Sequence, residues 1–394
     1  MKTYEDALKN LTDRGRLREF LPIRRDGHFA QSNGRKLLNL CSNDYLGIAG
    51  DSALQKKFYA QQKDEGFLDQ FGLGAASSRL LTGDYPGCHQ LEKVIADAYD
   101  KEACLLFNSG YHANIGILPA LFGKKDLILS DKLNHASLTD GIRLSRASYK
   151  RYRHCDYSHL DDLLGRYRTQ FDRAVIVSES IFSMDGDRAD IEQMVRLKDK
   201  YDCLLYIDEA HALGVYGPNG LGLCADHGYL ADIDLLVGTF GKALGSLGAF
   251  LLSSHVAVQY LINSSRSLIF TTALPPVVTS WNLFVFQEML NYEEQRKQLR
   301  ENSEKLRARL EDNKIKTGGS THIVPVHIGD DRTTVRLAKE MQSLGYLVLP
   351  VRPPTVPEGE SRFRLSVTAD MEWLDLEKAV FDLARIFKAI DCNS

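Results

Sequence analysis

Paired cysteines, net charge and long apolar runs are all missing from this 394-residue chain, and each absence removes a class of explanation. Seven cysteines stand at 41, 88, 104, 155, 203, 224 and 392, an odd, scattered set with no Cys-x-x-Cys pair. That spacing argues against a disulfide framework or a structural zinc site, so no metal is expected. It fits reduced thiols, mostly small core residues, in a cytoplasmic protein. Basic residues number 49 against 52 acidic ones, a net charge of −3, so there is no basic field to gather nucleic acid or anionic lipid. No apolar run reaches the ~18 residues of a spanning helix, and the start, Met1-Lys-Thr-Tyr-Glu-Asp-Ala-Leu8, lacks an apolar signal core. Neither nucleic acid nor membrane is an expected partner. Small molecules are.

What is present is an ordinary globular composition, 44% hydrophobic and 26% charged, at a length that calls for two or three packed units. From about residue 86 to 255, short apolar runs alternate with helix-like segments: Ala103–Phe107, Leu127–Leu129, Ala174–Val177, Cys203–Ile207, Leu235–Val237 and Gly248–Leu252. Continuous apolar runs of this length predict strands buried on both faces, as in a parallel sheet between helices. Leu91, Val94, Ile95, Ala98 and Tyr99 recur at helical spacing just before the first strand. After Pro275-Pro276 the pattern changes to a charged helix over 292–312. Strands near 322–328, 346–352 and 362–368 then alternate with helices near 333–344 and 371–390. The reading is α/β: an N-terminal arm over 1–45, a large domain with a mostly parallel sheet over 46–280, and a smaller C-terminal α/β domain over 281–394.

Two strand ends carry chemistry. In Leu204-Leu-Tyr-Ile-Asp-Glu-Ala-His211 an apolar run ends in Asp208, with His211 three residues on; open α/β sheets bind ligands at the carboxyl ends of their strands. In Leu235-Leu-Val-Gly-Thr-Phe-Gly-Lys-Ala-Leu-Gly245, Lys242 follows the next apolar run in a glycine-rich loop. A lysine among apolar and glycine residues is suited to covalent chemistry with a carbonyl. The loop is not a nucleoside-phosphate loop, because Ala243 stands where such a loop requires Ser or Thr after Gly-Lys. An acid at one strand end and, 34 residues later, a lysine at the next meet the needs of pyridoxal phosphate. That electron sink requires a carboxylate on its ring nitrogen and a lysine on its aldehyde.

The chain resembles the fold-type-I pyridoxal-phosphate transferases and, among them, the α-oxoamine synthases, which condense an amino acid with an acyl thioester and release carbon dioxide. The resemblance runs from Cys41-Ser-Asn-Asp-Tyr-Leu-Gly47 to Arg362-Phe-Arg-Leu-Ser366. It implies roles residue by residue. Lys242 is the Schiff-base lysine, Asp208 the partner of the pyridine nitrogen, His211 a neighbour of the phenolic oxygen, and His135 the histidine that stacks on the ring. Gly110 and Tyr111, where Phe107-Asn-Ser-Gly-Tyr-His-Ala-Asn114 opens a helix, supply phosphate amides. Thr239 adds a hydroxyl, and Thr271 reaches the phosphate from a neighbouring subunit, which implies a homodimer with shared sites. Ser183 contacts the cofactor and Glu179 organises it. Arg364 binds the amino-acid carboxylate through its guanidinium fork, with Asn43 as a further donor; Arg362 is expected to face away from it.

Ser78 and Val351-Arg-Pro-Pro-Thr-Val-Pro357 resemble an alanine-using member, the smaller side chain at 78 leaving room for a methyl group. Asp131-Lys-Leu-Asn-His-Ala-Ser137 with Asp140-Gly-Ile-Arg143 looks more like a glycine-using ligase branch. The implied substrates are L-alanine and an acyl thioester on coenzyme A or acyl carrier protein. Arg16 and Arg18 in the arm are candidates for a distal acyl carboxylate, set against the more usual fate of solvated surface arginines.

Overall fold

The computed structural model describes residues 1–61 and 71–391, so Cys392 lies outside the described residues. The other six cysteines are free thiols. Among the described residues, no helix is long and apolar enough to cross a membrane.

The chain begins with an exposed helix, Lys2–Asp13, and a meander of β1 (Arg24–Asp26), β2 (Phe29–Ser32) and β3 (Arg35–Asn39). Asn33 and Gly34, both at positive φ, make the β2–β3 turn, as a tight two-residue hairpin requires. Next come β4 (Ala103–Phe107), β5 (Asp126–Asp131), β6 (Ser148–Tyr152), β7 (Arg173–Glu179), β8 (Leu204–Asp208), β9 (Leu235–Thr239) and β10 (Ala249–Ser253). They form one seven-stranded sheet in the order β4-β10-β9-β8-β7-β5-β6. β10 runs antiparallel to both its neighbours, while β9, β8, β7, β5 and β6 are parallel. The last strands are β11 (Ile323–Gly329), β12 (Tyr346–Leu347), β13 (Pro350–Val351) and β14 (Ser361–Ser366), of which β11, β14 and β13 make an antiparallel sheet.

Two compact units result, one of Met1–Asp51, Ser183–Arg188 and Glu294–Ser394, the other of Ser52–Phe182 and Ala189–Glu293. These differ from the expected boundaries at 45 and 280. The N-terminal segment is no separate arm, because β3 pairs in parallel with β12 and so joins the C-terminal residues. The single strand expected near 346–352 is two short ones in different sheets, β12 beside β3 and β13 beside β14. β6 was not among the expected strands: Ser-Tyr-Lys-Arg-Tyr has no apolar run, because it is the exposed edge of its sheet.

The seven-stranded sheet positions the chemistry. β4, β5 and the inner residues of β7, β8 and β9 are buried, each Val, Leu or Ile adding about 1.5–3 kcal/mol over its exposed state. Polar side chains collect at the carboxyl ends, where β5, β7, β8 and β9 finish in Asp131, Glu179, Asp208 and Thr239. Two helices that follow β4 and β5, Gly110–Leu121 and Ala136–Ser145, pack against one face of this sheet. Their backbones come so close at Gly141 that an added Cβ would sit 2.3 Å from the Asn114 carbonyl oxygen.

Alanine is ordinarily the better helix former by about 1 kcal/mol, yet Gly141→Ala is expected to destabilise the protein by about 1–3 kcal/mol, because backbone must move. Gly123→Ala, with nothing within 4 Å of the new methyl, should stay within about 0.5 kcal/mol of the parent. Equilibrium urea unfolding of the three proteins checks this.

Candidate active site

Parallel pairing sets Glu179 opposite Asp208, and Asp208 opposite Val237, so the ends of β7 and β8 are level and β9 runs two residues further, to Thr239. Asp208 is buried. Its Oδ1 accepts the Ala210 N–H at 2.9 Å and its Oδ2 the Asn114 side-chain N–H at 2.8 Å. Past the end of β9 the chain folds into a tight turn, the Gly245 N–H donating to the Lys242 carbonyl and the Ser246 N–H to the Phe240 carbonyl. This turn presents Lys242, whose Nζ lies 2.8 Å from Nε2 of the buried His211. As Lys Nζ–H is the donor, that imidazole nitrogen is the acceptor. Thr239 donates its hydroxyl to the Gly248 carbonyl and accepts the Gly241 N–H, which holds the loop. Gly110, at the start of its helix, faces Thr239 at 3.9 Å from a notional Cβ.

His135 caps the helix Ala136–Ser145, its Nδ1 accepting the Ser137 backbone N–H at 3.2 Å and standing 2.8 Å from the Ser137 hydroxyl. Burial pushes its pKa below the usual histidine value, against the pull of Asp208, so the ring is neutral at pH 7. Its backbone N–H donates to Oε1 of the buried Glu179 at 2.5 Å. Burial, reinforced by the Asp208 charge, pushes Glu179 up to about 8.

Of the expected substrate residues, Asn43 and Arg364 fall in the other unit. Arg364 donates from Nη1 to Asn43 Oδ1 at 2.9 Å and Ser366 Oγ at 2.8 Å, from Nη2 to Tyr45 Oη at 2.9 Å, and from Nε to the Ser183 carbonyl. These acceptors are all uncharged. Arg362, expected to face away, is two residues earlier and so on the same face of β14; it pairs instead with Asp185 and Glu360. Ser183 therefore stands with Arg364, in a different unit from Lys242. Arg16 is bound to Asp331 and Glu358, and Arg18 donates to the carbonyls of Arg352 and Pro353; neither is a solvated arginine.

Three expected residues lie outside the Lys242–Asp208 network. Thr271 Oγ1 accepts from Asn108 of the same chain at 3.2 Å. Tyr111 is half-exposed and donates to Asp140. Ser78 sits in a turn, its carbonyl accepting from Leu81 and Gly83. Conversely, the structure adds residues that the sequence reading left without a role. Asn114 and Ser137 join Asp208 to His135, and Glu209 is buried against Gly222 and accepts the Cys224 N–H. A polar Asn among Ala113, Ile117 and Leu118, all buried, was the available signal for the first. Asp131, His154 and Cys155 also come together, but the Asp131 oxygens accept the Leu133 and Cys155 N–H groups and so hold this loop.

A glutamate protonated in the folded state and ionised when unfolded makes stability fall as pH rises between about 4.5 and about 8. Glu179→Gln, a mimic of the protonated form, should flatten that fall and leave stability at neutral pH within about 1 kcal/mol. Urea midpoints across pH 5–9 read it; parallel curves would contradict the neutral Glu179.

Residues 35–383 match the aminotransferase class I and II family. The chain is 50% identical over 347 residues, 88% of each chain, to an 8-amino-7-oxononanoate synthase of Chlorobaculum parvum. It is 46% identical over 382 residues to a putative 8-amino-7-oxononanoate synthase of Pasteurella multocida, covering 96% of this chain and 98% of the relative. A serine palmitoyltransferase from S. paucimobilis, solved with bound PLP and myriocin, superposes with TM-score 0.91 at 27% identity over 99% of this chain and 98% of that one. The 8-amino-7-oxononanoate synthase of Francisella tularensis does so with TM-score 0.76 at 25% identity, over 90% and 98%. With the strand-end lysine, aspartate and histidines described above, these likenesses place the chain in the aminotransferase class I and II family, among its α-oxoamine synthases.

Proposed function

We propose that this enzyme condenses L-alanine with a pimeloyl thioester, on coenzyme A or acyl carrier protein, to give 8-amino-7-oxononanoate, carbon dioxide and the free thiol, a step of biotin biosynthesis. The observation that carries the reading is Lys242 held by His211 beside a buried, doubly hydrogen-bonded Asp208. The high identity to synthases of that name supports it. The residues fit pyridoxal phosphate, the cofactor of this enzyme: an amine for its aldehyde, a carboxylate for its ring N–H, and the start of the helix Gly110–Leu121 against Thr239 for its phosphate. When bound, it supplies a sink for the electron pair left at the α-carbon of the amino acid.

The protein's own groups do the rest. Arg364, oriented by uncharged acceptors on four of its five N–H groups, offers its remaining Nη2 N–H and its charge to the alanine carboxylate. Lys242 removes and returns the proton at the alanine α-carbon, with His211 Nε2 ready to receive its N–H. Asp208 stays oriented by its two donors as charge moves through the site. His135, neutral, offers a flat ring face and a nitrogen that can exchange a proton during condensation. Carbon dioxide then leaves from the β-keto acid, and the α-carbon is reprotonated. Free cysteines fit a cytoplasmic setting.

The assembly is read as a homodimer that shares its sites. Leu73, Leu81 and Phe270 are 86, 78 and 71% exposed, and their segments are tied together by the Ala273 N–H to the Ser77 carbonyl. So much apolar surface beside Thr271 is suited to burial against a second copy.

Purified enzyme should release 8-amino-7-oxononanoate from alanine and pimeloyl thioester, with turnover lost in Lys242→Ala. Glycine, which lacks one methyl, should be disfavoured by about 10–200-fold. Product from glycine plus acetyl-CoA alone would instead make this a ligase of the glycine-using branch. Leu81→Asp should convert dimer to monomer in sedimentation velocity and abolish turnover; an active monomer would refute shared sites.

A further inference from the structure

Asn114 lies on the helix that follows β4 and is 1% exposed, and each of its side-chain polar atoms is engaged. Nδ2 donates to Asp208 Oδ2 at 2.8 Å and to Ser137 Oγ at 2.9 Å, and Oδ1 accepts the Tyr206 hydroxyl at 2.5 Å. The amide orientation is decided by chemistry: an ionised carboxylate can only accept, so the NH2 must face Asp208. Both N–H groups are then committed, and Ser137 Oγ, already an acceptor, turns its own hydrogen to His135 Nδ1 at 2.8 Å. The close approach of the two helices at Gly141, one turn beyond Ser137, brings Ser137 within reach.

We propose that Asn114 is a positioning residue, one carboxamide that orients Asp208 and, through Ser137, keeps the ring proton of His135 on Nε2. The inference rests on the functional reading above, in which Asp208 and His135 both serve the bound cofactor. Its chemistry is that of a fixed donor. Asp208 gains an N–H that favours the carboxylate, and His135 Nδ1 gains an O–H that favours the neutral ring, so both groups stay in the state the reaction uses. The third arm, to Tyr206, fixes the amide itself and touches neither group.

The test compares the parent, Asn114→Ala and Tyr206→Phe in two measurements. One is the pH titration of His135 by 15N-histidine spectra, assigned with His135→Gln. The other is the pH profile of kcat/KM for alanine in the holoenzyme. Asn114→Ala should raise the His135 midpoint by about half a unit or more. It should also lower kcat/KM by about ten- to hundredfold, the rate equivalent of one hydrogen bond to a charged group. Tyr206→Phe should lose stability with the His135 midpoint unmoved. If Asn114→Ala loses stability but keeps the parent midpoint and pH profile, Asn114 merely packs and the proposal fails. Should Asn114→Ala not fold, Ser137→Ala cuts the His135 arm alone; the midpoint must rise there, and an unchanged one overturns the proposal. A parent enzyme with no turnover of alanine and any pimeloyl thioester would defeat the functional reading, while the His135 titration would still decide this one.

Discussion

A carboxylate taken out of water has to be held by donors, and Asp208 at the end of β8 is the group on which the larger unit is organised. Its oxygens are met by a backbone N–H two residues on and by the carboxamide of Asn114. The neighbouring strand end carries a second acid, Glu179; burial, and after it the nearby Asp208 charge, makes it hold its proton to about 8. That neutral carboxyl group accepts the His135 backbone N–H. The flanking histidines follow suit, His135 neutral through burial and His211 receiving Lys242.

The other unit shows the complementary device. Arg362 and Arg364 share a strand, yet Arg362 is paired with Asp185 and Glu360 while Arg364 meets Asn43, Tyr45, Ser366 and a carbonyl. Uncharged acceptors fix the guanidinium of Arg364 without neutralising its charge. An acid beside it would have given a tighter ion pair and a weaker binding group.

The hydrophobic pattern of the chain was enough to find six of the seven strands of the large sheet, because a strand buried on both faces must be apolar throughout. The edge strand Ser148–Tyr152 escaped, since it need not be apolar. Local pattern likewise could not join β3 to β12 across some three hundred residues or split 346–352 between two sheets, because pairing partners leave no mark in short segments. The excursion of Ser183–Arg188 into the unit that holds Arg364 is of the same kind.

By itself, then, the sequence determined six strands of the large sheet, the reactive types and their order: acid, histidine and lysine at or just past strand ends, and arginine on a later strand. These are properties of short windows, in which periodicity and glycine placement act directly on the backbone. Tertiary structure alone decided that Glu179 is neutral, that Arg16 is held by Asp331 and Glu358, and that Asn114 joins Asp208 to His135. Protonation and hydrogen-bond partners depend on burial and on atoms brought from distant parts of the chain, and those distances exist only once the chain has folded.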